Sequence, residues 1–539
     1  MNRKSVYFYL ILALIFCFAG CTQNRTEEIP LKERLIFNCD GTDLLGNFQF
    51  GGRPLSVADI RSYVDAYAGT QVTTFMMCSG SLNLYYRSAY ATVLGEPRDG
   101  ETEDKEFREG VGRYYEGFLN VEREGADVIA TVLERARERK METFITYRMN
   151  DLHFNSPDES PLAQCDFWRD HPEFWTNEDA GWHSSGAFDF AHSEVRQYKL
   201  NIIAEQIDKY GHLLDGFDLD FMRFIVYFRQ AEGEKNAHLM TELVKAVKEK
   251  IDEASVRHGR KILLSVRVPV DVEFCMHKGL NIREWVDQGL VDFVTIGVHW
   301  CGKPDMPVEK FRSDLGNAQI PIYATIDDGG YSPREVYTRG QRRGMASHIY
   351  AQGGNGIYLF NYFLGGGYDG PTGEGSLVSR AISIPLLHEL GSPETLRKRN
   401  KIFSVDDGAS AAYGYSPDTP LPLSVSSDKT STAEIYVGDN VKQDVPEEAI
   451  LFVRTSRADS FFVSVNETEI IEQKPEYIVL FDRGNNLSGD ETVYAWTIPV
   501  SSLHRGANKV SFRNGGDELI VKRLEIALKY GDVKANGYF

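Results

Sequence analysis

Eight apolar, strand-like runs alternate with helical patterns between residues 33 and 362, and this alternation leaves few folds open to the chain. In the helical patterns, apolar residues recur three and four positions apart, with charged residues on the opposite face. A strand followed by a helix, repeated eight times, predicts a (β/α)8 TIM barrel with a parallel sheet. The strand-like runs cover 33–40, 72–79, 141–150, 213–224, 261–268, 291–300, 320–327 and 356–362.

The helical patterns also contain local signals for where helices begin. A serine side chain can accept a hydrogen bond from a free backbone N–H at a helix start, and Ser56, Ser193 and Ser332 stand at such N-cap positions. We expect the barrel domain to cover 33–395. The predicted helices cover 56–68, 123–140, 193–211, 235–259, 281–289, 307–316 and 332–354.

The pattern changes near residue 400, where the helical runs stop. Short alternating runs joined by Gly, Asn, Asp and Pro predict an antiparallel β-sandwich over 400–539. The segment 497–514, TIPVSSLHRGANKVSFRN, resembles the end of jelly-roll, galactose-binding-like modules, so the sandwich either binds sugar or only packs on the barrel. The predicted strands cover 433–437, 447–456, 461–468, 476–481, 492–500, 508–514 and 519–528.

The N-terminus has the layout of a bacterial lipoprotein signal peptide. Arg3 and Lys4 precede an apolar run that is short for a membrane-spanning helix. The run ends in the sequence AGC, whose last residue is Cys21. This ending resembles a lipobox, in which Cys21 becomes the lipidated first residue. We therefore predict a signal peptide over 1–21, a tether over 22–32, and lipid anchoring in the bacterial cell envelope, at the outer membrane or the periplasmic face. An ordinary secretory peptide cut nearby is the alternative.

Composition restricts the partners of the chain. The formal net charge of -19 argues against nucleic-acid binding, which needs a basic surface, and fits an enzyme that acts on neutral or weakly charged substrates. Five cysteines follow Cys21 at wide spacings without a CxxC pair, which is neither a disulfide framework nor a zinc signature. We predict no metal and no cofactor, and the oligomeric state stays open.

The segment DGFDLDFMRF, residues 215–224, forms the fourth predicted strand. Successive side chains of a strand point to opposite faces, so Asp218 and Asp220 share one face and the apolar residues share the other. Two carboxylates on the inner face of a core strand are costly unless they border a solvated site, so we expect an active site here. The structural alternative is an aspartate pair held by arginines such as Arg223 or Arg267.

Polar residues stand near the carboxyl ends of seven of the eight predicted strands. Active sites of TIM barrels lie at that end, so we expect these side chains to converge on one pocket with a polar ligand. The candidates for substrate binding are Asp40 on the first strand, Arg148, Asn150 and His153 on the third, Asp218 and Arg223 on the fourth, Arg267 on the fifth, His299 on the sixth and Asn361 on the eighth.

Two carboxylates from different strands suit the cleavage of a glycosidic bond. One protonates the leaving oxygen, and the other acts as nucleophile or base. Asp220, deep in the acidic strand end, and Asp327, at the tip of the seventh strand, are the predicted catalytic pair. Arginines nearby could hold one carboxylate ionised or bind an acidic sugar.

With this layout, the run DGFDLDFMR resembles bacterial glycosyl hydrolase family 10-like TIM-barrel proteins, and the resemblance covers about residues 33–390. It implies a glycosidase acting on an oligo- or polysaccharide. The run is also similar to the DGxDxDxE strand of family 18 chitinases, except that Met222 stands where the catalytic glutamate belongs. In the cellulase-like clan the seventh strand carries a glutamate nucleophile, whereas here it offers Asp327. A lipoprotein glycosidase with an appended sandwich is similar to the polysaccharide-utilisation machinery of Bacteroides-type bacteria.

Two other functions compete with a glycosidase. A non-catalytic glycan-binding surface lipoprotein is favoured by Met222 in the glutamate position. A metal-dependent hydrolase is disfavoured, because no HxH pair follows the first strand and histidines suited to bind a metal are sparse. The sugar, the linkage and the stereochemical outcome stay open.

Overall fold

The computed structural model describes residues 33–47, 51–97, 110–157, 163–179, 181, 183–298, 303–327, 337–364, 383–406, 418–427, 429–480 and 487–531. In these ranges, no helix combines the length and the apolar character needed to cross a membrane. The predicted signal peptide, the tether and Cys21 lie outside the described residues.

Eight parallel strands close into a barrel in chain order, and β8 pairs back onto β1. The prediction of a (β/α)8 barrel is therefore confirmed, and the structure places each strand inside or within a residue of its predicted run. The strands are β1 (Arg34–Cys39), β2 (Thr74–Cys78), β3 (Glu142–Arg148), β4 (Gly216–Asp220), β5 (Leu263–Pro269), β6 (Phe293–Gly297), β7 (Ile322–Asp327) and β8 (Gly356–Phe360).

The seven helices predicted for the barrel are present with differences at their starts, and the described residues contain five further helices that were not predicted. The helices are α1 (Thr42–Leu45), α2 (Val57–Asp65), α3 (Gly112–Arg123), α4 (Val128–Glu138), α5 (Asp166–Asp170), α6 (Ser193–Tyr210), α7 (Gly233–His258), α8 (Val272–His277), α9 (Ile282–Asp287), α10 (Val308–Asp314), α11 (Arg339–Ala351) and α12 (Pro393–Leu396). Ser56 caps α2 as predicted, within a capping box that Asp59 completes. Ser193 is the first residue of α6 rather than its cap, which is His192. Thr338 caps α11, and Ser332 lies outside the described residues.

The helix predicted over 123–140 is present as α4 but begins later than predicted, because α3 ends at Arg123 and a turn separates the two helices. Gly125 has a left-handed backbone with φ of 78°, which ends the helical path after α3. Asp127 then starts α4, and its side chain accepts a hydrogen bond of 2.9 Å from the backbone N–H of Ala130.

The sheet alternates strictly between an inner and an outer face. Outward residues such as Phe217 and Leu219 join the large core between strands and helices. Inward residues fill the barrel with a smaller cluster that includes Phe144, Tyr358 and Phe360. This alternation places Asp218 and Asp220 inside the barrel, as the strand pattern predicted.

The C-terminal region forms two antiparallel sheets, as predicted. One sheet has the order β10-β17-β12-β15 with β9 paired to β17, and the other has the order β11-β16-β13-β14. The strands are β9 (Lys401–Asp406), β10 (Leu423–Val425), β11 (Thr430–Val437), β12 (Glu448–Thr455), β13 (Phe461–Val465), β14 (Thr468–Ile470), β15 (Thr492–Ile498), β16 (Gly506–Asn514) and β17 (Leu519–Lys529).

The strand predicted over 476–481 is wrong, because residues 476–480 lie in helix α13 (Pro475–Leu480), and residue 481 lies outside the described residues. Proline is favourable in the first turn of a helix, where its missing N–H is not needed. Tyr477 packs on the outer face of the sheet, and its hydroxyl donates a hydrogen bond of 2.6 Å to Glu448. A short apolar run cannot distinguish one helical turn from a strand by its periodicity.

Helix α11 of the barrel packs directly on β9 of the sandwich. At Gly344, a Cβ atom would lie 1.9 Å from the carbonyl oxygen of Ile402, so only glycine permits this approach. Buried polar contacts join the same surfaces, since Gln341 donates a hydrogen bond of 2.8 Å to Glu525 and Ser347 donates one of 2.6 Å to Asp439. The sandwich is therefore attached to the barrel by a close and specific contact.

Candidate active site at the barrel mouth

The deepest carboxylate of the site is Asp218 on β4, which is fully buried. Its two oxygens accept hydrogen bonds from the neighbouring strands, 2.8 Å from the Thr146 hydroxyl and 2.7 Å from the Ser265 hydroxyl. Burial, and after it the charge of Asp220, raises the pKa of Asp218 to about 6. A pKa of about 6 brings the ionisation of Asp218 close to neutral pH.

Asp220 lies two residues further along the same face, at the carboxyl end of β4. Arg267 Nη1 lies 3.3 Å from one of its oxygens and 3.4 Å from the other. The backbone N–H of Met222 donates a further hydrogen bond of 2.8 Å to the carboxylate. Both neighbours contact Asp220 as an acceptor, which is the role of a nucleophile or a base.

Arg267 connects β4 with the opposite wall of the barrel. Its guanidinium carbon lies 3.8 Å from the centroid of the Phe360 ring on β8, and both side chains are buried. Phe360 is in turn the register partner of Asp327 on β7, and the side chain of Asp327 is fully buried. The predicted catalytic aspartates thus stand on two sides of one arginine–phenylalanine contact.

The absence of a side chain at Gly297 makes room for this contact. A Cβ atom at Gly297 on β6 would lie 2.9 Å from the Thr325 hydroxyl and 3.7 Å from Arg267 Nε. The inner surface of β6 is therefore open at the level where Arg267 crosses the barrel.

A second charged group lies beside the first, at the ends of β1 and β3. Arg148 pairs with Asp40 and lies 3.0 Å from Asp151. His153 Nδ1 lies 2.5 Å from the other oxygen of Asp151, and His153 Nε2 lies 3.4 Å from Arg223. These contacts connect four of the predicted substrate-binding residues with Asp151, which the sequence analysis did not single out.

The arginines control the charge of this second group. Burial alone would raise the pKa of Asp40, but Arg148, Arg223 and the Thr42 hydroxyl outweigh it and lower the pKa to about 2. Burial would also raise the pKa of Asp151, but His153 and the two arginines outweigh it and hold that pKa well below the ordinary range. Both carboxylates are charged at any physiological pH.

Several buried polar atoms in the upper barrel have no hydrogen-bond partner among the described residues. Such atoms cost about 1–3 kcal/mol each when nothing satisfies them, so they mark positions where a bound polar molecule can supply a partner. They are Asn38 Nδ2, Arg223 Nε, Arg267 Nε, Thr295 Oγ1, Thr325 Oγ1 and Tyr358 OH.

Three predicted site residues stand apart from these contacts. Asn150 donates hydrogen bonds of 3.1 Å to the Phe188 carbonyl and 2.5 Å to the Val226 carbonyl, and so joins two loops. Asn361 follows the inward-facing end of β8 in a left-handed conformation with φ of 51°, and it is half-buried. His299 lies outside the described residues.

Sequence reasoning missed Asp151, Thr146, Tyr358 and Phe360. Asp151 follows two predicted polar residues in the chain, and Phe360 shares the inward parity of β8, so both signals were present in the sequence.

Within the described ranges, no group of three or more His, Cys, Asp or Glu side chains could hold a metal ion.

Neither a protein-family model nor a curated protein sequence matches the chain. Among solved structures, the chain is similar to α-L-fucosidase isoenzyme 1 from Paenibacillus thiaminolyticus, with 16% identity, TM-score 0.35, and coverage of 91% of this chain and 97% of that one. The PgaB (BpsB) glycoside hydrolase domain from Bordetella bronchiseptica has 9% identity, TM-score 0.40, and coverage of 67% and 99%. A Paenibacillus cycloisomaltooligosaccharide glucanotransferase has 10% identity and TM-score 0.32; the match covers 91% of this chain but only 57% of the length of that enzyme. These likenesses are too distant to assign an activity.

Proposed function

We propose that the protein is a glycoside hydrolase that cleaves glycosidic bonds in an oligo- or polysaccharide with Asp220 and Asp327. The observation that carries the proposal is the pair of buried carboxylates at the carboxyl ends of β4 and β7, on two sides of the Arg267–Phe360 contact. Hydroxyl, amide and guanidinium atoms without a partner among the described residues, on the barrel strands and at Arg223, suit a ligand that is rich in hydroxyl groups.

We infer the roles within the pair from the contacts of Asp220. Arg267 and the Met222 N–H present only donors to Asp220, so this carboxylate acts as the nucleophile or as the base that deprotonates water. Asp327 then donates a proton to the glycosidic oxygen as the bond to the anomeric carbon breaks. Arg267 also keeps Asp220 in place during the reaction, because its own position is fixed by the Phe360 ring.

The test is hydrolysis of a broad panel of oligo- and polysaccharides by the purified protein and by Asp220→Asn and Asp327→Asn. We expect each substitution to lower the rate by at least about a hundredfold, which is the lower range for loss of an acid or base group. Asp287→Asn, at an exposed aspartate of α9, is the matched control and should keep full activity. Full activity in Asp220→Asn and in Asp327→Asn would refute the assignment of the pair.

The second candidate is a non-catalytic glycan-binding protein. The observation in its favour is that Asp40, Asp151 and Asp220 all contact arginines, an arrangement of fixed charges that suits binding without proton transfer. Calorimetric binding of an oligosaccharide that stays intact over long incubation would support this candidate. Release of new reducing ends by the wild type, and not by Asp220→Asn, would exclude it.

We also propose that Cys21 carries a lipid that anchors the protein in the bacterial cell envelope. The support is the apolar run that ends in AGC at Cys21. Cells fed radioactive palmitate should label the wild-type chain and not Cys21→Ser, and the serine variant should leave the membrane fraction. Equal labelling of both chains would refute the anchor.

A further inference from the structure

The sheet β11-β16-β13-β14 of the sandwich has an outer face with an unusual composition. Its inward side chains, such as Val463 and Phe512, are buried in the sandwich core. The outward side chains surround a depression of about 350 Å³, which is within the range of about 300–1,000 Å³ for small-molecule sites. The wall residues that matter here are Phe462, Ser464, Glu469, Lys509, Ser511 and Arg513.

Phe462 supplies an exposed aromatic ring on this face. Its side chain is 61% exposed, and Ile471, the residue after β14, is 79% exposed. Arg513 is the cross-strand partner of Phe462, and its guanidinium carbon lies 5.6 Å from the ring centroid. Because a cation steadies the ring while most of its surface stays open, Phe462 is a stable platform for stacking.

The charged side chains around the depression are not paired with one another. Glu467 and Glu469 oppose Lys509 and Arg513, and none of the four forms an ion pair with any described residue. Two negative and two positive groups leave the face without net charge, although the whole chain carries -19. A strongly anionic or cationic ligand therefore gains little here, whereas hydroxyl groups can donate to the glutamates and accept from the cations.

We propose that this face is a second binding site, separate from the barrel, for a neutral polysaccharide chain. A pyranose ring has an apolar face that can stack on Phe462 and a rim of hydroxyls. These hydroxyls can hydrogen-bond to Ser464, Ser511 and the charged side chains, which lie beside Phe462 on the paired strands of the sheet. The proposal does not depend on the barrel being a hydrolase, because no residue of the barrel lines the face.

The experiment is affinity electrophoresis of the full chain in native gels that contain one soluble polysaccharide each. The neutral probes are xyloglucan, galactomannan, arabinoxylan and mixed-linkage β-glucan, and polygalacturonate is the anionic probe. All proteins carry Asp220→Asn, so that a hydrolase would not consume the gel. Hydrolysis by the parent chain, measured separately, reports on the barrel alone.

Three further substitutions separate ring stacking from other causes of retardation. We expect at least one neutral polysaccharide to retard the chain, and Phe462→Ala to weaken that binding by about tenfold, as loss of an aromatic stack does. Phe462→Tyr keeps the ring and should keep the binding, whereas Phe462→Leu should not. Val256→Ala, at a side chain of α7 that is 84% exposed, is the control for exposed apolar residues and should leave retardation unchanged.

Each contrary result overturns the proposal. Failure of all four neutral polysaccharides to retard the chain excludes a neutral-glycan site. Equal retardation of the Phe462→Ala chain places all binding elsewhere, in the barrel or on another surface. Full binding by Phe462→Leu shows nonspecific apolar adhesion, and an effect confined to polygalacturonate shows an anion site at Arg513 and Lys509.

Discussion

Replacing Asp218 with asparagine should change how the stability of the protein depends on pH. Asp218 is fully buried between Thr146 and Ser265, and asparagine has nearly the same shape without the charge. Its pKa of about 6 lies above the ordinary value of 3.8, because burial and the charge of Asp220 both oppose ionisation.

The size of the effect follows from these two values. Between pH 3.8 and about pH 6, the unfolded chain has released the proton that folded Asp218 still holds. The free energy of unfolding of the wild type therefore decreases as the pH rises through this range, and the decrease is complete above the pKa that Asp218 has in the folded protein. About 2 pKa units at 1.36 kcal/mol each give a loss of about 3 kcal/mol, which the variant avoids.

The assay is urea unfolding of both proteins at several values between about pH 4 and about pH 7.5, followed by tryptophan fluorescence. The free energy of unfolding of Asp218→Asn minus that of the wild type should increase by about 3 kcal/mol over this range. Asp287→Asn, at an exposed aspartate, is the control for the substitution itself, and the increase should be specific to Asp218→Asn. A constant difference for Asp218→Asn would refute the view that a costly carboxylate is kept in the barrel.

Three other substitutions test separate parts of the structure. Arg267→Met leaves a buried carboxylate without its arginine and should cost roughly 3–5 kcal/mol in urea unfolding, whereas exposed Arg283→Met should cost less than about 1 kcal/mol. Asp40 has a pKa of about 2, below the ordinary 3.8, so its charge stabilises the fold above pH 3.8 and this stabilisation is lost as the pH falls towards 2. Asp40→Asn should therefore lower the free energy of unfolding by about 2 kcal/mol more at neutral pH than near pH 2, as measured by acid unfolding. Gly344→Ala places a methyl group against the Ile402 carbonyl and should lower the free energy of unfolding by roughly 1–3 kcal/mol, with a lower Tm in calorimetry.

The barrel could be predicted because its sequence signals are local and repeated. Each strand needs apolar residues on its outer face, and each helix needs an apolar stripe, so two periodicities alternate visibly along the chain. The same alternation predicted which side chains of β4 point inward. The elements of the sandwich are harder to predict, because its strands are short. The six residues of α13, for example, contain an apolar run that fits either a strand or a helical turn.

The contacts within the mouth could not be predicted in the same way. Asn150 stands at a strand end, as expected, but its amide contacts two loop carbonyls whose positions depend on residues 38 and 76 places further along the chain. Arg267 was predicted near the aspartates, yet its contact with Phe360 depends on the opposite wall of a closed barrel and on the space at Gly297. Strand parity selects the side chains that point inward, whereas barrel closure decides which of them meet.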